Sequence, residues 1–240
     1  MEFALSIAEI ADAFPGYRVG IVVAEDLVFS AERPDALDAL IRGRESAARA
    51  RWAGVELARV PGIAAWREAY KGFGIKQTRY RSSVERLLKN VLAGRGLARV
   101  NGFVDLYNAV SLAQVLPLGA DDLGAVASPF AFRYARSDDS FVDMADAALE
   151  GDMAAEPEAP KPGEVVYADA AKVLCRRWNW RQDARSLIRP QTTRAIVTVQ
   201  ANGWGDVAAA MDDLVELIGR FCGGRCRTAV ADAAHPSVSL

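Results

Sequence analysis

The order of the predicted elements constrains the fold of this chain most strongly. Amphipathic helices dominate the first half of the sequence, and strands dominate residues 125 to 200. Segregation of this kind favours an α+β fold over regular βαβ winding. A chain of 240 residues is also long enough to bury a sizeable core. We therefore predict a single α+β domain over residues 1–222, followed by a disordered tail over residues 223–240.

Apolar periodicity and helix-breaking residues locate the individual elements. Ser82 and Glu85 have the spacing of a capping box, which predicts a helix starting at Ser82. The acidic, proline-rich segment 150–163 is predicted to be an internal surface loop rather than a linker. Further helices are predicted at 7–14, 34–52, 61 to 72 or 74, 103–116 and 207–221, and strands at 19–23, 130–134, 164–167, 173–178 and 195–200.

Charge is segregated along the chain although the formal net charge is only -2. Residues 42–99 contain 14 Lys and Arg against 4 Asp and Glu, and residues 172–194 contain 7 against 1. Residues 120–170 show the reverse, with 12 acidic and 3 basic residues. A polyanion is therefore expected to meet two basic zones, unless these side chains are scattered over solvated helix faces.

Several classes of protein are excluded or disfavoured by the sequence. No run of 18 apolar residues is present, so a membrane-spanning helix is not expected. The first residues include Glu2, Glu9 and Asp12 and lack the pattern of a signal peptide. Three cysteines, an odd number, fit a reducing compartment better than a disulfide framework. A cytoplasmic location is expected.

The catalytic inventory is small. His235 is the only histidine, which argues against Ser-His-Asp and Cys-His systems. Cys222, Cys226 and His235 have poor spacing for structural zinc and lack a fourth ligand. No phosphate loop or dinucleotide fingerprint is present. We expect no metal and no cofactor.

Residues 175–185, CRRWNWRQDAR, concentrate four arginines and two of the five tryptophans. Guanidinium groups neutralise phosphates and indole faces stack on nucleobases, so this composition suits nucleic acid. If the stretch is extended, alternate residues share a face. The alternative is that the tryptophans pack at a core edge beneath the arginine stems.

A second candidate feature is a polar stripe on an apolar helix. Between Val100 and Gly119 the only charged residue is Asp105. Asn101, Asp105 and Asn108 are spaced to share one helical face, and Ser111 continues it. Buried polar groups must find partners or line a cavity. The stripe therefore indicates either helix capping and loop contacts, or the wall of a pocket.

Residues 99–112 (RVNGFVDLYNAVSL) and 116–123 (LPLGADDL) resemble part of the editing domain of the phenylalanyl-tRNA synthetase beta subunit, the B-three/B-four domain. The motifs FPGYRVG, AWREAY, PGEVVY and CRRWNWR, beginning at residues 14, 65, 162 and 175, are similar to those of freestanding members of that family. The resemblance covers roughly residues 14–220. It implies helices around a mixed or antiparallel β core of unusual topology, and hydrolysis of amino acids wrongly attached to tRNA.

The chain departs from the synthetase module at positions where that module does its chemistry. The resemblance places Tyr107 where the module has a threonine, while Asn108 is kept. It places Gly119 where the module has a histidine, and Val199 or Gln200 where it has a glutamate that reads a substrate hydroxyl. These differences imply a different cognate amino acid.

We therefore predict a trans-acting aminoacyl-tRNA deacylase, whose partner is tRNA or aminoacyl-tRNA, with no membrane partner. An aminoacyl ester is already activated, so orienting one water and stabilising an oxyanion would suffice. Two alternatives stay open: a non-catalytic module that binds tRNA or aminoacyl-tRNA, and a small-molecule protein that binds an amino acid or nucleotide. The predicted catalytic residues are Asp105, Asn108 and Asn179, and the predicted binding residues are Asn101, Tyr107, Ser111, Arg176, Arg177, Trp178, Trp180, Arg181, Gln182, Trp66 and Arg67.

Overall fold

The computed structural model describes residues 3–75, 80–145 and 158–240. The helices lie close to the predicted positions. The helix at Pro61 starts on a proline, which fits the first turn because the N–H it lacks has no intrahelical partner there. The last helix ends at Gly223, whose φ of 64° is the left-handed conformation that terminates helices. The α-helices of the described residues are α1 (Ala8–Ala11), α2 (Asp35–Arg51), α3 (Pro61–Gly72), α4 (Ser83–Leu92), α5 (Gly102–Gln114) and α6 (Val207–Cys222).

The strands form two sheets. One has the order β10-β1-β4-β5-β6-β7 and is mixed, because β1 and β4 run parallel; the other, β3-β8-β2-β9, is antiparallel throughout. This arrangement confirms the predicted α+β class. The strands are β1 (Ala4–Ser6), β2 (Tyr17–Glu25), β3 (Leu118–Asp122), β4 (Phe130–Tyr134), β5 (Val165–Ala168), β6 (Val173–Arg176), β7 (Arg181–Gln182), β8 (Ala195–Asn202), β9 (Arg225–Ala231) and β10 (Ser237–Ser239).

The four-stranded sheet separates two hydrophobic cores. Successive residues of a strand point to opposite faces, so Val197 and Val199 join a core with the helices while Ile196 joins a core with the other sheet. The same alternation sends Thr198 and Gln200 of β8 toward the core between the sheets. Polar side chains on this inner face must find partners, and they form the candidate site described below.

The predicted strand 173–178 is too long. β6 ends at Arg176 because Arg177 and Trp178 have φ values of 45° and 67°, in the left-handed region. The chain then turns back into β7, where Cys175 pairs with Gln182. The arginine- and tryptophan-rich stretch is therefore a tight hairpin, and its alternate residues do not share one extended face.

The prediction of a disordered tail after residue 222 is wrong. Residues 225–231 form β9, which pairs along β2 from Val19 to Glu25. Residues 237–239 form β10, which pairs antiparallel with β1. The tail is ordered because it completes edges of both sheets and satisfies their backbone hydrogen bonds. This pairing was not visible as apolar alternation, since most side chains of β9 are exposed.

Most of the predicted loop 150–163 lies outside the described residues, which resume at Glu158. There the backbone N–H of Glu158 donates to the carbonyl of Phe141 at 2.7 Å. Among the described residues, no helix combines the length and apolarity needed to cross a lipid bilayer.

Candidate functional site between the two sheets

Asp105, predicted as a general base, forms a buried ion pair. Its Oδ2 accepts a hydrogen bond from Nε of Arg33 at 2.9 Å, and its Oδ1 accepts from the backbone N–H of Val100, also at 2.9 Å. Both side chains of the pair are almost fully buried. Arg33 also contacts Asp38 on α2. This geometry does not fit a base that activates water, because both carboxylate oxygens already hold structural partners.

Two other residues of the α5 stripe also have structural contacts. Asn101 caps α5: its Oδ1 accepts from the N–H of Val104 at 2.9 Å, and its Nδ2 donates to the carbonyl of Ile188 at 3.2 Å. The hydroxyl of Ser111 donates to the carbonyl of Leu116 at 2.6 Å. These contacts match the capping alternative and leave neither side chain facing a cavity.

Tyr107 precedes Asn108 on α5 and is buried. Its ring is buried in the helical core, so it does not offer a face for stacking an adenine. Burial raises the pKa of Tyr107 well above its usual value, and the nearby carboxyl of Asp121 adds to the effect. Asn108 is half-buried, and no hydrogen bond joins its side chain to another described residue.

Two arginines of the hairpin belong to a buried cluster of ion pairs. The guanidinium groups of Arg176 and Arg177 both contact Glu164, at 3.0 and 2.9 Å, and all three side chains are buried. Arg176 also reaches Glu158 at 2.9 Å. The two arginines therefore neutralise internal acids and do not fit the predicted role of phosphate ligands.

Trp178 is fully buried and does not fit the predicted role of stacking a nucleobase. Its ring makes edge contacts with Phe14 at 4.6 Å, Tyr17 at 4.8 Å and Trp66 at 5.3 Å between centroids. Aromatic edge contacts of this kind add to the energy of burial. Trp178 thus anchors the hairpin in the core between the sheets. This matches the alternative stated above, in which the tryptophans of this stretch pack against the core.

Trp180 and Arg181 stay near the surface. Trp180 is half-exposed and meets the ring of Tyr80 edge-on at 5.0 Å. The buried guanidinium of Arg177, while paired with Glu164, also lies 3.9 Å from the centre of the Tyr80 ring and 4.5 Å from that of the Trp180 ring. Arg181 covers the same indole at 5.1 Å and pairs with Asp143 at 3.3 Å. We call Tyr80, Trp180 and Arg181 the ring stack. Trp180 and Arg181 are the members of the hairpin in it that a ligand can reach, because Arg177 is buried.

A chain of hydrogen bonds joins the hairpin to β8. The hydroxyl of Tyr70 donates to Oδ1 of Asn179 at 3.0 Å, and Nδ2 of Asn179 donates to Oε1 of Gln200 at 3.2 Å. Nε2 of Gln200 then donates to Oγ1 of Thr198 at 3.3 Å. We call these four buried residues the polar chain. It ends beside Gly119, which pairs with Thr198 across the β3–β8 ladder.

The space over Gly119 is open. A Cβ placed on this half-buried glycine would meet a single atom within 4 Å, the Oγ1 of Thr198 at 4.0 Å. Gly119 and Gln200 lie on the same inner face of the sheet, next to Thr198. Tyr107 and Val199, the other positions at which the resemblance suggests a departure, lie in the core with the helices.

Asp121 lies two residues beyond Gly119 on the same face of β3, about 7 Å along the strand. It is 4% exposed, and its Oδ1 accepts from Oγ of Ser186 at 2.6 Å and from Nε2 of Gln182 at 3.0 Å. Burial raises its pKa from 3.8 to about 7, because desolvation of the carboxylate outweighs these two hydrogen bonds. Among the described residues no hydrogen bond reaches its Oδ2.

A surface cleft of about 350 Å³ opens between α3 and α4. Trp66, Arg67 and Tyr70 of α3 line one side, so the predicted binding residues Trp66 and Arg67 both border the cleft, although Trp66 is itself almost fully buried. Tyr70 connects this cleft to the polar chain through its hydroxyl. The other side is lined by Tyr80, Arg81, Ser82 and Glu85.

Asp121, Thr198 and the α4 side of the cleft were not predicted as site residues from the sequence. Asp121 follows Gly-Ala, a pair that carries no strand signal, so β3 and its inward-facing carboxyl were not predicted. Thr198 lies in a correctly predicted strand, and period-two alternation with Gln200 would have placed both on one face. Among the described residues, no cluster of three or more His, Cys, Asp or Glu is placed to hold a metal ion.

These features define an α+β domain of two sheets with a polar interior between them and a basic, aromatic cleft beside it. The chain belongs to the B3/4 domain family, whose model matches residues 65–223. The structure is also similar to an N-terminal fragment of the phenylalanyl-tRNA synthetase beta subunit from Pyrococcus horikoshii, with 14% identity and a TM-score of 0.41. That match covers 93% of this chain and 50% of the fragment, so the chain spans about half of the fragment's length. No curated protein matches the chain.

Proposed function

We propose that this chain is a cytoplasmic, trans-acting aminoacyl-tRNA deacylase whose hydrolytic site is the polar interior around Gly119 and Asp121. The observation that carries the proposal is Asp121, a carboxyl group with a pKa of about 7 on the same strand face as the open space over Gly119. A general base is most effective when its pKa lies near the working pH. Membership of the B3/4 family and the sequence resemblance to an editing domain support the choice of substrate.

The reaction requires little from the protein. Asp121 accepts a proton from water as the water oxygen attacks the ester carbonyl carbon. The tetrahedral intermediate then collapses, the bond to the ribose oxygen breaks, and the proton passes to that oxygen. Thr198 suits the developing oxyanion, since its Oγ1 accepts from Gln200, no acceptor among the described residues takes its own proton, and Oγ1 borders the space over Gly119.

A panel of mischarged tRNAs, with the enzyme near the tRNA concentration, tests the proposal. We expect at least one species to be hydrolysed, with a rate that rises about tenfold per pH unit below 7 and levels above it, after subtraction of spontaneous hydrolysis. Asp121→Asn should lower the rate by about 10²–10⁴ and remove this pH dependence. Asp122→Asn, at the next position of the strand and on its other face, is the matched control. It should retain both the hydrolysis rate and its pH dependence.

Absence of hydrolysis for every species in the panel would contradict the deacylase. Equal rates for Asp121→Asn and the wild-type protein would remove Asp121 from the mechanism.

A non-catalytic tRNA-binding module is the second candidate. The stack of Tyr80, Trp180 and Arg181 favours it, because rings and a guanidinium near the surface suit single-stranded nucleic acid without any base catalyst. It predicts saturable tRNA binding without turnover, weakened by Arg181→Ala. Arg177→Ala is a poor probe, because it leaves the buried Glu164 with one partner fewer.

A further inference from the structure

The start of α4 does not use the residues that the sequence offers for capping it. Ser82 occupies the N-cap position, yet its side chain makes no capping hydrogen bond. Glu85, the expected reciprocal partner, turns instead toward Arg67 and Arg81. The predicted capping box is therefore not formed. The first turn of this ten-residue helix, with its partial positive charge, remains without a side-chain cap beside the cleft.

The hydroxyl of Ser82 is a second and independent feature. Ser82 is 2% exposed and lines the cleft, but its Oγ has no hydrogen-bond partner among the described residues. A buried hydroxyl without a partner is destabilising, and native structures avoid it unless a ligand or water completes the site. Its position marks where a polar atom of a bound molecule would lie.

The charge of the cleft favours an anion. Arg67 contacts both oxygens of Glu85, at 3.2 and 2.7 Å, and Arg81 pairs with the same buried carboxylate. Two guanidinium groups thus share one negative charge, which leaves an excess of about one positive charge at the wall. Lys71 and Glu68 pair with each other at 3.0 Å and cancel. Both arginines are partly exposed, so they can donate to a ligand as well as to Glu85.

An aromatic ring lies next to these arginines and Ser82. Tyr80 lines the cleft, and its ring is held by the guanidinium of Arg177 and the edge of Trp180. A ring held in this way is a rigid platform for a planar group. A cleft of about 350 Å³ has room for a phosphate, a ribose and a base.

We propose that the α3–α4 cleft binds a nucleoside monophosphate unit, with the phosphate at Ser82, Arg81 and the start of α4, and the base against Tyr80. The inference rests on the proposed function only for the source of the nucleotide. That source is either a free nucleotide or the 3′-terminal nucleotide of tRNA. Tyr70 lines the cleft and its hydroxyl donates to Asn179, so it is the contact between the cleft and the rest of the polar chain.

Calorimetric titration of the full chain tests this site with AMP, inorganic phosphate, adenosine and a CCA trinucleotide. We expect AMP or the trinucleotide to bind at least tenfold more tightly than phosphate or adenosine alone. Saturation by AMP indicates a free nucleotide, and saturation by the trinucleotide alone indicates the tRNA end. Ser82→Ala and Arg81→Gln should each weaken that binding about tenfold, since each removes a hydrogen bond to a charged group.

Lys89→Gln, an exposed position of α4 away from the cleft, is the matched control and should bind as the wild-type protein does. Ser82→Ala should fold normally, because the hydroxyl it removes has no partner. Failure of both AMP and the trinucleotide to bind would overturn the inference, as would unchanged binding in both variants or phosphate binding as tightly as AMP. Deacylation that persists without nucleotide binding refutes this site alone, and nucleotide binding without deacylation refutes the proposed function alone.

Discussion

At the scale of single residues, two aspartates in similar burial have opposite electrostatic surroundings. Asp105 lies against a guanidinium group and a backbone N–H, so its charge is balanced by Arg33. Asp121 has only a hydroxyl and an amide as hydrogen-bond donors, and its pKa rises to about 7. A carboxyl that exchanges a proton near neutral pH suits general-base catalysis, whereas a permanently paired one suits stability.

The raised pKa of Asp121 makes folding stability depend on pH. Its folded pKa of about 7 lies above the ordinary value of 3.8, so its contribution is fully present below pH 3.8 and is lost as the pH rises through 7. The difference between the two values corresponds to at most about 4 kcal/mol. We expect Asp121→Asn to remove this loss, so that the variant gains stability over the wild-type protein between pH 4 and pH 8.

Urea denaturation of both proteins across this pH range measures the effect, because the other titrating groups cancel in the difference. Asp122→Asn serves again as the control. If the free energy of unfolding changed with pH in the same way for Asp121→Asn and the wild-type protein, the pKa of Asp121 would not be raised by burial, and the prediction would be wrong.

At the scale of elements, the close packing of α6 on β2 depends on a glycine. A Cβ on Gly20 would stand 2.2 Å from Sδ of Met211 and 2.7 Å from Cγ1 of Val207. We expect Gly20→Ala to lower the free energy of unfolding by about 1–3 kcal/mol, because the helix must move away or its side chains must leave their preferred rotamers. Chemical denaturation measures this value.

Gly43→Ala is the matched control for Gly20→Ala. Gly43 lies within α2, and a Cβ there would meet no atom within 4 Å. Alanine favours a helix over glycine by about 1 kcal/mol, so this variant should be as stable as the wild-type protein or more so. If the two substitutions had equal effects, the space at Gly20 would not be limiting.

The elements that the sequence predicted well are those with a strong local signal. β4 was predicted without error at residues 130–134, and α2 and α6 within one or two residues, because apolar periodicity and breakers coincide there. β9 and β10 were missed because their order comes from pairing with β2 and β1, distant in the chain. Pairing between distant strands leaves little trace in local composition.

The candidate site was predictable only in part for the same reason. The sequence marked Asn179 and the residues around Trp66, and the fold joins both through Tyr70. It assigned Arg176, Arg177 and Trp178 to ligand binding because composition alone does not distinguish a buried ion pair or a core ring from an exposed one. Their burial follows from the left-handed turn at Arg177 and Trp178, which composition does not reveal.

At the scale of the whole molecule, the acidic zone 120–170 and the second basic zone 172–194 largely neutralise each other. Acids from the zone 120–170 pair with bases from the zone 172–194, so the fold removes most of the second basic zone. The pairs are Asp169 with Lys172, Glu158 and Glu164 with Arg176, Glu164 with Arg177, and Asp143 with Arg181. A count of charges along the chain therefore overestimates the field that a polyanion meets.

This pairing leads to a moderate salt dependence for tRNA binding. Among the described residues near the ring stack, Arg81, Arg86 and Arg181 are the cations that reach the surface, and partial desolvation together with repulsion by Arg181 lowers the pKa of Arg86. Three phosphate contacts with single-stranded RNA give a slope of log K against log salt of about -2, because each contact contributes about -0.7. Ten contacts, the excess of basic over acidic residues in the zone 42–99, would give about -7.

Fluorescence anisotropy with labelled tRNA between about 50 and 300 mM salt measures this slope. Arg86→Gln should reduce its magnitude by about 0.7, since one phosphate contact is lost. Arg95→Gln is the control, because Arg95 lies beyond the C-terminal end of α4, where its guanidinium donates a hydrogen bond to Oδ1 of Asn90. A slope steeper than about -5 would mean that cations outside the ring stack hold the RNA, and the binding surface would then have to be placed on the basic faces of α2 and α4.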